Sequence, residues 1–344
     1  MTMIYRHTHD PSAIGRTMDG VVQQGGVDHH PQRRKAALVL LSVTLVWGAT
    51  FIWMKQALNA LQPEIADYGT FPVVAFLVAV RFFIAMVLVL LFFSQARQGL
   101  RTRVMWKGGS ILGGLMLVGF VTQMVALDDI NPSTSAFLTS LYVVMTALLT
   151  VRMAEHPPRR ALYWGVLMAT FGAGFIEGPP HLSWGWGELT TVFSAFFFAL
   201  HIVFTQHFTQ RFDPIGLTST SFVFITVGCL LLALLSTPSL PAMAGDILSR
   251  EGVLLPLFLL GVGGSFFCLL ALNLFQRHMH PVQAAIIYAF EPVWATIFGL
   301  GLDLVTWTLW IPLGGGILLA GNIMVELTTP QESFKTEQEN EQNH

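Results

Sequence analysis

Charge is scarce in this chain. Asp, Glu, Lys and Arg make up 11% of its 344 residues, against 53% hydrophobic, and ordinary soluble domains carry about twice that charge. With mean hydropathy at +0.61, a water-soluble fold of this length is excluded. The 18 basic residues are too few, and too confined to loops, for a nucleic-acid surface, and the net charge of −2 points to no charged partner. Cysteine is nearly absent. Cys229 and Cys268 both lie in apolar runs, which excludes a disulfide framework and a cysteine metal site. No Walker-type phosphate loop, paired-histidine motif or buried Ser/His/Asp set occurs. ATP hydrolysis and covalent catalysis therefore lack residues to carry them, and the chain reads as a non-enzyme without cofactor. His7, His9, His29 and His30 fit no ligand spacing. Their polar stretch holds no apolar core of the signal-peptide kind. Residues 1–35 read as a disordered cytoplasmic tail, and the acidic, amide-rich residues 328–344 as a second one.

Long apolar runs fill the rest. A crossing needs about 20 mostly apolar residues, and ten such stretches follow one another: 36–57, 71–94, 105–127, 132–153, 160–177, 187–208, 214–236, 253–275, 281–302 and 306–327. The fold class is therefore all-α integral membrane. Basic residues set its orientation. Arg33, Arg34 and Lys35, then Arg97, Arg101, Arg103 and Lys107, then Arg152, Arg159 and Arg160, then Arg211 and Arg277, all fall on one side of a ten-span arrangement. The other side carries Glu64, Asp67, Asp128, Asp129, Glu188, Asp246 and Glu251, with Lys55 and Arg250 as its basic exceptions. Both termini are expected in the cytoplasm.

The ten spans divide into two copies of one unit, residues 36–178 and 184–327. Pro132-Ser133-Thr134-Ser135-Ala136 aligns with Pro281-Val282-Gln283-Ala284-Ala285, 149 positions later. The same offset pairs Tyr142 with Glu291, Val144 with Val293, Gly165 with Gly314, Gly172 with Gly321 and Glu177 with Glu326, without a gap. Upstream, Trp47-Gly48 pairs with Phe198-Ala199 and Thr50 with His201. Five crossings per copy invert the second copy relative to the first. Such inverted repeats are the common construction of secondary transporters, with the solute site between the copies near the midplane. Gly109-x3-Gly113, Gly165-x3-Ala169 and Gly316-x3-Ala320 put small residues on single helix faces and predict close helix seams. Gly261-x-Gly263-Gly264 lies inside an apolar span and predicts packing as well.

Five motifs in order carry a family resemblance. These are Trp47-Gly48-Ala49-Thr50-Phe51 in the first span, Val80-Arg81-Phe82-Phe83 in the second and Ala136-Phe137-Leu138-Thr139-Ser140-Leu141-Tyr142 in the fourth. Ile287-Tyr288-Ala289-Phe290-Glu291-Pro292-Val293-Trp294-Ala295 follows in the ninth, then the Gly314-to-Gly321 run with Glu326 in the tenth. Together they resemble the EamA domain of the drug/metabolite transporter superfamily. Ala154-Glu155-His156-Pro157 and Asp303-Leu304 stand where that family often has a Gly-Glu-Arg type turn. The resemblance implies a five-plus-five helix fold in the inner membrane and export of amino acids or other small metabolites.

Candidate site residues are the polar groups inside spans. A charge at mid-span costs about 2.5–3.5 kcal/mol on insertion scales and normally faces the bundle interior. Arg81 fits a two-pronged donor to a solute carboxylate or phosphate, or an internal ion pair, Glu291 included. Glu291 precedes Pro292, which removes a helical hydrogen bond. The carboxylate there fits binding of an amine, carriage of a proton, or stabilisation of a kink. Tyr288 shares its helix face, and Trp294 lies beside that face as a surface for a flat solute or as a packing group. His201 in span six, with Thr205 and Ser194 on one stripe, reads as a ligand or as a satisfied core residue. Gln123 and Asn273 line a cavity or tie helices together. Tyr142, opposite Glu291 in the repeat, and Trp47 complete the set. The expected function is a secondary transporter, an exporter by alternating access, whose partners are a small solute, the lipid bilayer and protons. A carrier of phosphorylated or nucleotide-linked solutes is the alternative, ahead of a membrane enzyme or sensor.

Overall fold

The computed structural model describes residues 30–151, 160–173, 185–279, 284 and 287–328. The two tails, the turn at 154–157, Pro281 to Gln283, Glu177 and the Glu326 side chain lie outside the described residues. All regular elements among the described residues are helices. The first half runs α1 (His30–Ala60), α2 (Gln62–Tyr68), α3 (Thr70–Phe92), α4 (Ser94–Gly99), α5 (Arg103–Asp129), α6 (Pro132–Thr139), α7 (Tyr142–Val151) and α8 (Arg160–Ala173). The second runs α9 (Trp186–Arg211), α10 (Pro214–Ser236), α11 (Leu240–Ser249), α12 (Leu254–Leu259), a π-helix (Leu260–Phe267) and α13 (Cys268–Phe275). It ends with α14 (Glu291–Gly301) and α15 (Trp310–Thr328). Two of the described helices, α6 and α10, begin at side-chain caps. Asn131 and Asp213 accept hydrogen bonds from the Thr134 and Gly216 backbone N–H groups, each followed by a proline at the first helical position.

Seven helical stretches are long and apolar enough to cross a membrane, and Trp310–Met324 is a shorter apolar one. The seven coincide with predicted spans one to four and six to eight. The fifth, ninth and tenth coincide with α8, α14 and α15, which as described fall short of that standard, so the full count of ten is not reached among the described residues.

The two halves meet across a self-complementary seam. A Cβ added at Gly172 of α8 would lie 2.4 Å from the Leu318 backbone nitrogen and 2.7 Å from the Gly314 carbonyl oxygen of α15. One added at Gly321 would lie 2.4 Å from the Ala169 nitrogen and 2.7 Å from the Gly165 carbonyl oxygen. These are the same contacts with the repeats exchanged. Contacts move down α15 as they move up α8, so the helices are antiparallel and the two-fold axis relating them is perpendicular to both. For membrane-spanning helices that axis lies in the membrane plane, the geometry of inverted repeats.

Gly109 and Gly113 form the expected seam, packed on Thr220, Ser221 and Phe224 of α10. The Gly316-x3-Ala320 expectation is corrected. Both residues are exposed, and a Cβ at Gly316 would meet nothing within 4 Å. The seam of α15 runs instead through Gly314, Leu318 and Gly321. Gly261, Gly263 and Gly264 do pack closely, against Ile84, Trp53 and Thr50.

The two basic residues on the acidic side are both tied down. Arg250 donates from Nε to the Glu64 carboxylate at 2.7 Å and pairs with it again through Nη2. Lys55 Nζ donates to the carbonyls of Leu127, Asp128 and Ile130 at 2.8, 2.9 and 3.1 Å. It thereby satisfies orphan carbonyls at the C-terminal end of α5. Lys55→Met is expected to lower stability by about 1–3 kcal/mol, read as an earlier thermal midpoint of the purified protein. An unchanged midpoint would show that water caps α5 equally well.

Candidate functional site

Both halves interrupt a helix at the same repeat position. Ser140 and Leu141 form a turn between α6 and α7, and Ala289 and Phe290 form a turn just before α14. The first helical residue after each break is Tyr142 in one half and Glu291 in the other, 149 positions apart, and the Tyr142 hydroxyl lies 3.4 Å from Glu291 Oε2. Broken helices are how membrane proteins expose polar backbone ends to a solute cavity.

A cavity opens at this meeting point. It is narrow, with a volume of about 40 Å³. Trp47, Gln123, Tyr142, His201, Tyr288 and Glu291 line it, with Thr50, Thr139, Phe120 and Phe198 among the others. Trp47 meets Tyr288 edge-on at 5.4 Å and Phe120 meets Phe198 at 5.3 Å. Gly48 explains how the first helix comes so near. A Cβ there would lie 2.5 Å from Trp294 Cβ and 2.9 Å from the Glu291 carbonyl oxygen. The Trp-Gly pair thus lays α1 on α14 and turns Trp47 into the cavity.

Polar side chains around the wall are mostly held by neighbours. Gln123 Nε2 donates to Thr139 Oγ1 at 3.1 Å. The Tyr288 hydroxyl donates to Gln276 Oε1 at 3.2 Å, and Gln276 Nε2 donates in turn to the Ile202 carbonyl at 2.8 Å. The ring of His201 has Thr205 Oγ1 at 3.3 Å. Glu291 is 7% exposed and is the one carboxylate among the described residues of the wall. Aromatic faces around a single carboxylate suit a small solute that carries an ammonium group beside an apolar body.

A second, more polar cavity lies further along α6, lined by Asn131, Ser133, Thr134, Thr306 and Thr308 together with Leu304, Val305 and Ile311. α6 runs from this vestibule at Ser133 to the central cavity at Thr139. Ser133 Oγ and Thr296 Oγ1 share a buried hydrogen bond of 2.6 Å that joins α6 to α14 across the two halves. The Thr134 and Ser135 hydroxyls are buried there without a partner.

The EamA-like transporter family model matches residues 34–177 and 185–327. The chain belongs to the EamA-like transporter family. It is similar to an uncharacterized transporter of Archaeoglobus fulgidus, 27% identical over 284 residues that cover 82% of each chain. A protein solved by crystallography superposes with a TM-score of 0.60 at 16% identity, covering 86% of this chain and 98% of its own, a likeness of fold alone. The protein is a membrane transporter of the EamA-like family, with the two-repeat architecture of that family.

Six of the nine residues singled out from the sequence come together on the central wall: Trp47, Gln123, Tyr142, His201, Tyr288 and Glu291. Three do not. Asn273 Nδ2 donates to Thr218 Oγ1 at 2.7 Å and ties α13 to α10. Trp294 is half-buried against α1, its indole N–H without a partner. Arg81 lies behind the wall and forms no ion pair with Glu291; its hydrogen bonds run to Ser265 and Met54. Gln276, Thr50 and Thr139 were missed. Gln276 had a readable signal, a second amide three residues after Asn273 and just past the end of the same predicted span, whereas single threonines in apolar helices have none.

Proposed function

We propose that this transporter exports amino acids or similar small metabolites by alternating access, with the solute held in the central cavity between the repeats. The observation that carries the reading is the Tyr142–Glu291 pair. Two residues equivalent by the repeat meet on one aromatic wall where both halves break a helix. In this reading Glu291 receives the solute's ammonium or exchanges it for a proton. Tyr142, Tyr288, Trp47 and His201 shape the site, and Gln123 holds Thr139 on its wall. The Ser133–Thr296 hydrogen bond closes the cavity toward the vestibule, and rocking of one repeat against the other separates the two hydroxyls. In this reading both termini lie in the cytoplasm, the side that the basic loops favour, and the vestibule opens outward.

The test is flux. Purified protein in liposomes is expected to move at least one radiolabelled amino acid saturably, faster with a pH gradient imposed across the membrane. Saturable flux that ignores the gradient would remove the proton from the scheme. Absence of flux for every amino acid, from protein shown to be folded, would overturn the substrate class.

A further inference from the structure

Arg81 is 1% exposed, in the middle of α3. Its Nε donates to Ser265 Oγ at 2.9 Å and its Nη1 faces the Met54 sulfur at 3.7 Å, while Nη2 is buried with no hydrogen-bond partner. No ion pair balances it among the described residues. Instead the guanidinium lies over the rings of Phe120 at 4.4 Å and Phe82 at 5.3 Å. A leucine at this position would span the membrane without any of these demands. A buried cation in a span that keeps an unpartnered donor calls for a functional reason.

Its place relative to the cavity says what. Phe120, which covers the guanidinium, is itself a cavity wall. Thr50 is another wall residue, and it is separated from Nη2 by the missing side chain of Gly264. A Cβ there would lie 2.6 Å from Thr50 Cγ2 and 3.4 Å from Arg81 Nη2. The charge is thus one side chain away from the cavity on two sides. Gly264 and Ser265 both belong to the π-helix, and the Gly264 carbonyl accepts from the Trp47 indole at 3.2 Å. The element that holds Arg81 also holds a wall residue of the cavity. Such π-helical irregularities recur at functional sites.

We propose that Arg81 is a carboxylate subsite of the central cavity, reached when the Phe120 ring turns aside, with the solute's ammonium toward Glu291 and its carboxylate on the unpartnered Nη2 of the guanidinium. This deepens the amino-acid reading above and rests on it for the ammonium end alone. The arginine fork presents parallel donors to a carboxylate, which a lysine does not reproduce.

The experiment is ligand-induced thermal stabilisation of the purified full chain, wild type and Arg81→Gln. The probes are the amino acids, the same compounds with the carboxyl amidated, simple carboxylic acids, phosphate monoesters and simple amines. An amino acid that stabilises the wild type is expected to need at least tenfold higher concentration on Arg81→Gln, and its amide is expected to bind both proteins equally weakly. Arg81→Lys should fall between the two. Should Arg81→Gln fail to fold, the acid and its amide on the wild type decide alone. An amide that binds the wild type as well as its acid, or an acid that binds Arg81→Gln as well as the wild type, overturns the subsite. Stabilisation by a carboxylic acid or phosphate monoester in place of any amino acid, lost on Arg81→Gln, sinks the amino-acid reading and leaves the anion subsite standing. Stabilisation by amines alone, or by no anion in the panel, overturns the subsite.

Discussion

Glu291→Gln is expected to reduce solute flux in proteoliposomes at least tenfold and to abolish its response to a pH gradient, with the protein still folded and inserted. Gln has nearly the same shape, and its amide oxygen can still accept from the Tyr142 hydroxyl that lies 3.4 Å away in the wild type. What disappears is the carboxylate, the one acidic group among the described residues of the cavity wall. A hydrogen bond to a charged group contributes about 1.5–3 kcal/mol, which sets the scale of the loss for an ammonium-bearing solute. The structural alternative is that Glu291 only starts α14 after the break at Ala289 and Phe290. Gln at the first helical position would then cost a few tenths of a kcal/mol of favourable end charge, and flux would hold. Tyr142→Phe separates the two further. It removes the partner of Glu291 without touching its charge, and a several-fold reduction is expected. Flux of Glu291→Gln within twofold of wild type, normalised to inserted protein, would take Glu291 out of the transport step.

How much of this was legible beforehand follows from what periodicity encodes. The 149-residue offset between Tyr142 and Glu291 is written in the sequence, and the prediction that both flank one cavity needed only the symmetry. Only one of the two helix breaks was legible. Pro292 announces one, but Ser140 and Leu141 carry no proline or glycine, and the turn there is set by tertiary packing. That break also spoils the argument that placed Tyr288 and Glu291 on one helix face, because a face defined by helical spacing does not survive a turn. Tyr288 and Glu291 still reach the cavity, whereas Ala295 packs beneath Gly48. Asn273, Trp294 and Arg81 show a second limit. A polar group in an apolar helix must face protein, but nothing in its own helix says whether that protein is a cavity wall or a neighbouring hydroxyl. The Gly316-x3-Ala320 expectation failed for the same reason, since small residues on one face permit a seam without requiring one.

Gly172→Ala and Gly321→Ala are expected to destabilise the protein by nearly equal amounts, about 1–3 kcal/mol each, while Gly316→Ala is neutral or stabilising by up to about 1 kcal/mol through helix propensity. At the first two positions a new Cβ would sit 2.4 Å from a backbone nitrogen of the facing helix. Backbone inside a helix cannot rotate away as a side-chain tip can, so α8 and α15 must separate. At Gly316 a Cβ meets nothing within 4 Å. Equality of the first two costs is a consequence of the two-fold axis, because each substitution makes the same clash from the opposite side. Thermal midpoints of the three purified variants in detergent check this, and a Gly172→Ala cost several times that of Gly321→Ala would mean that the seam is not symmetric. The double variant carries the argument further. Both clashes press the same two helices apart, so once one alanine has opened the seam the second finds much of its room already made. The pair should then cost clearly less than the sum of its parts, as neighbouring sites that share one displacement do. Strict additivity would show that each clash is relieved locally, by bending one helix, and that the seam does not move as a unit.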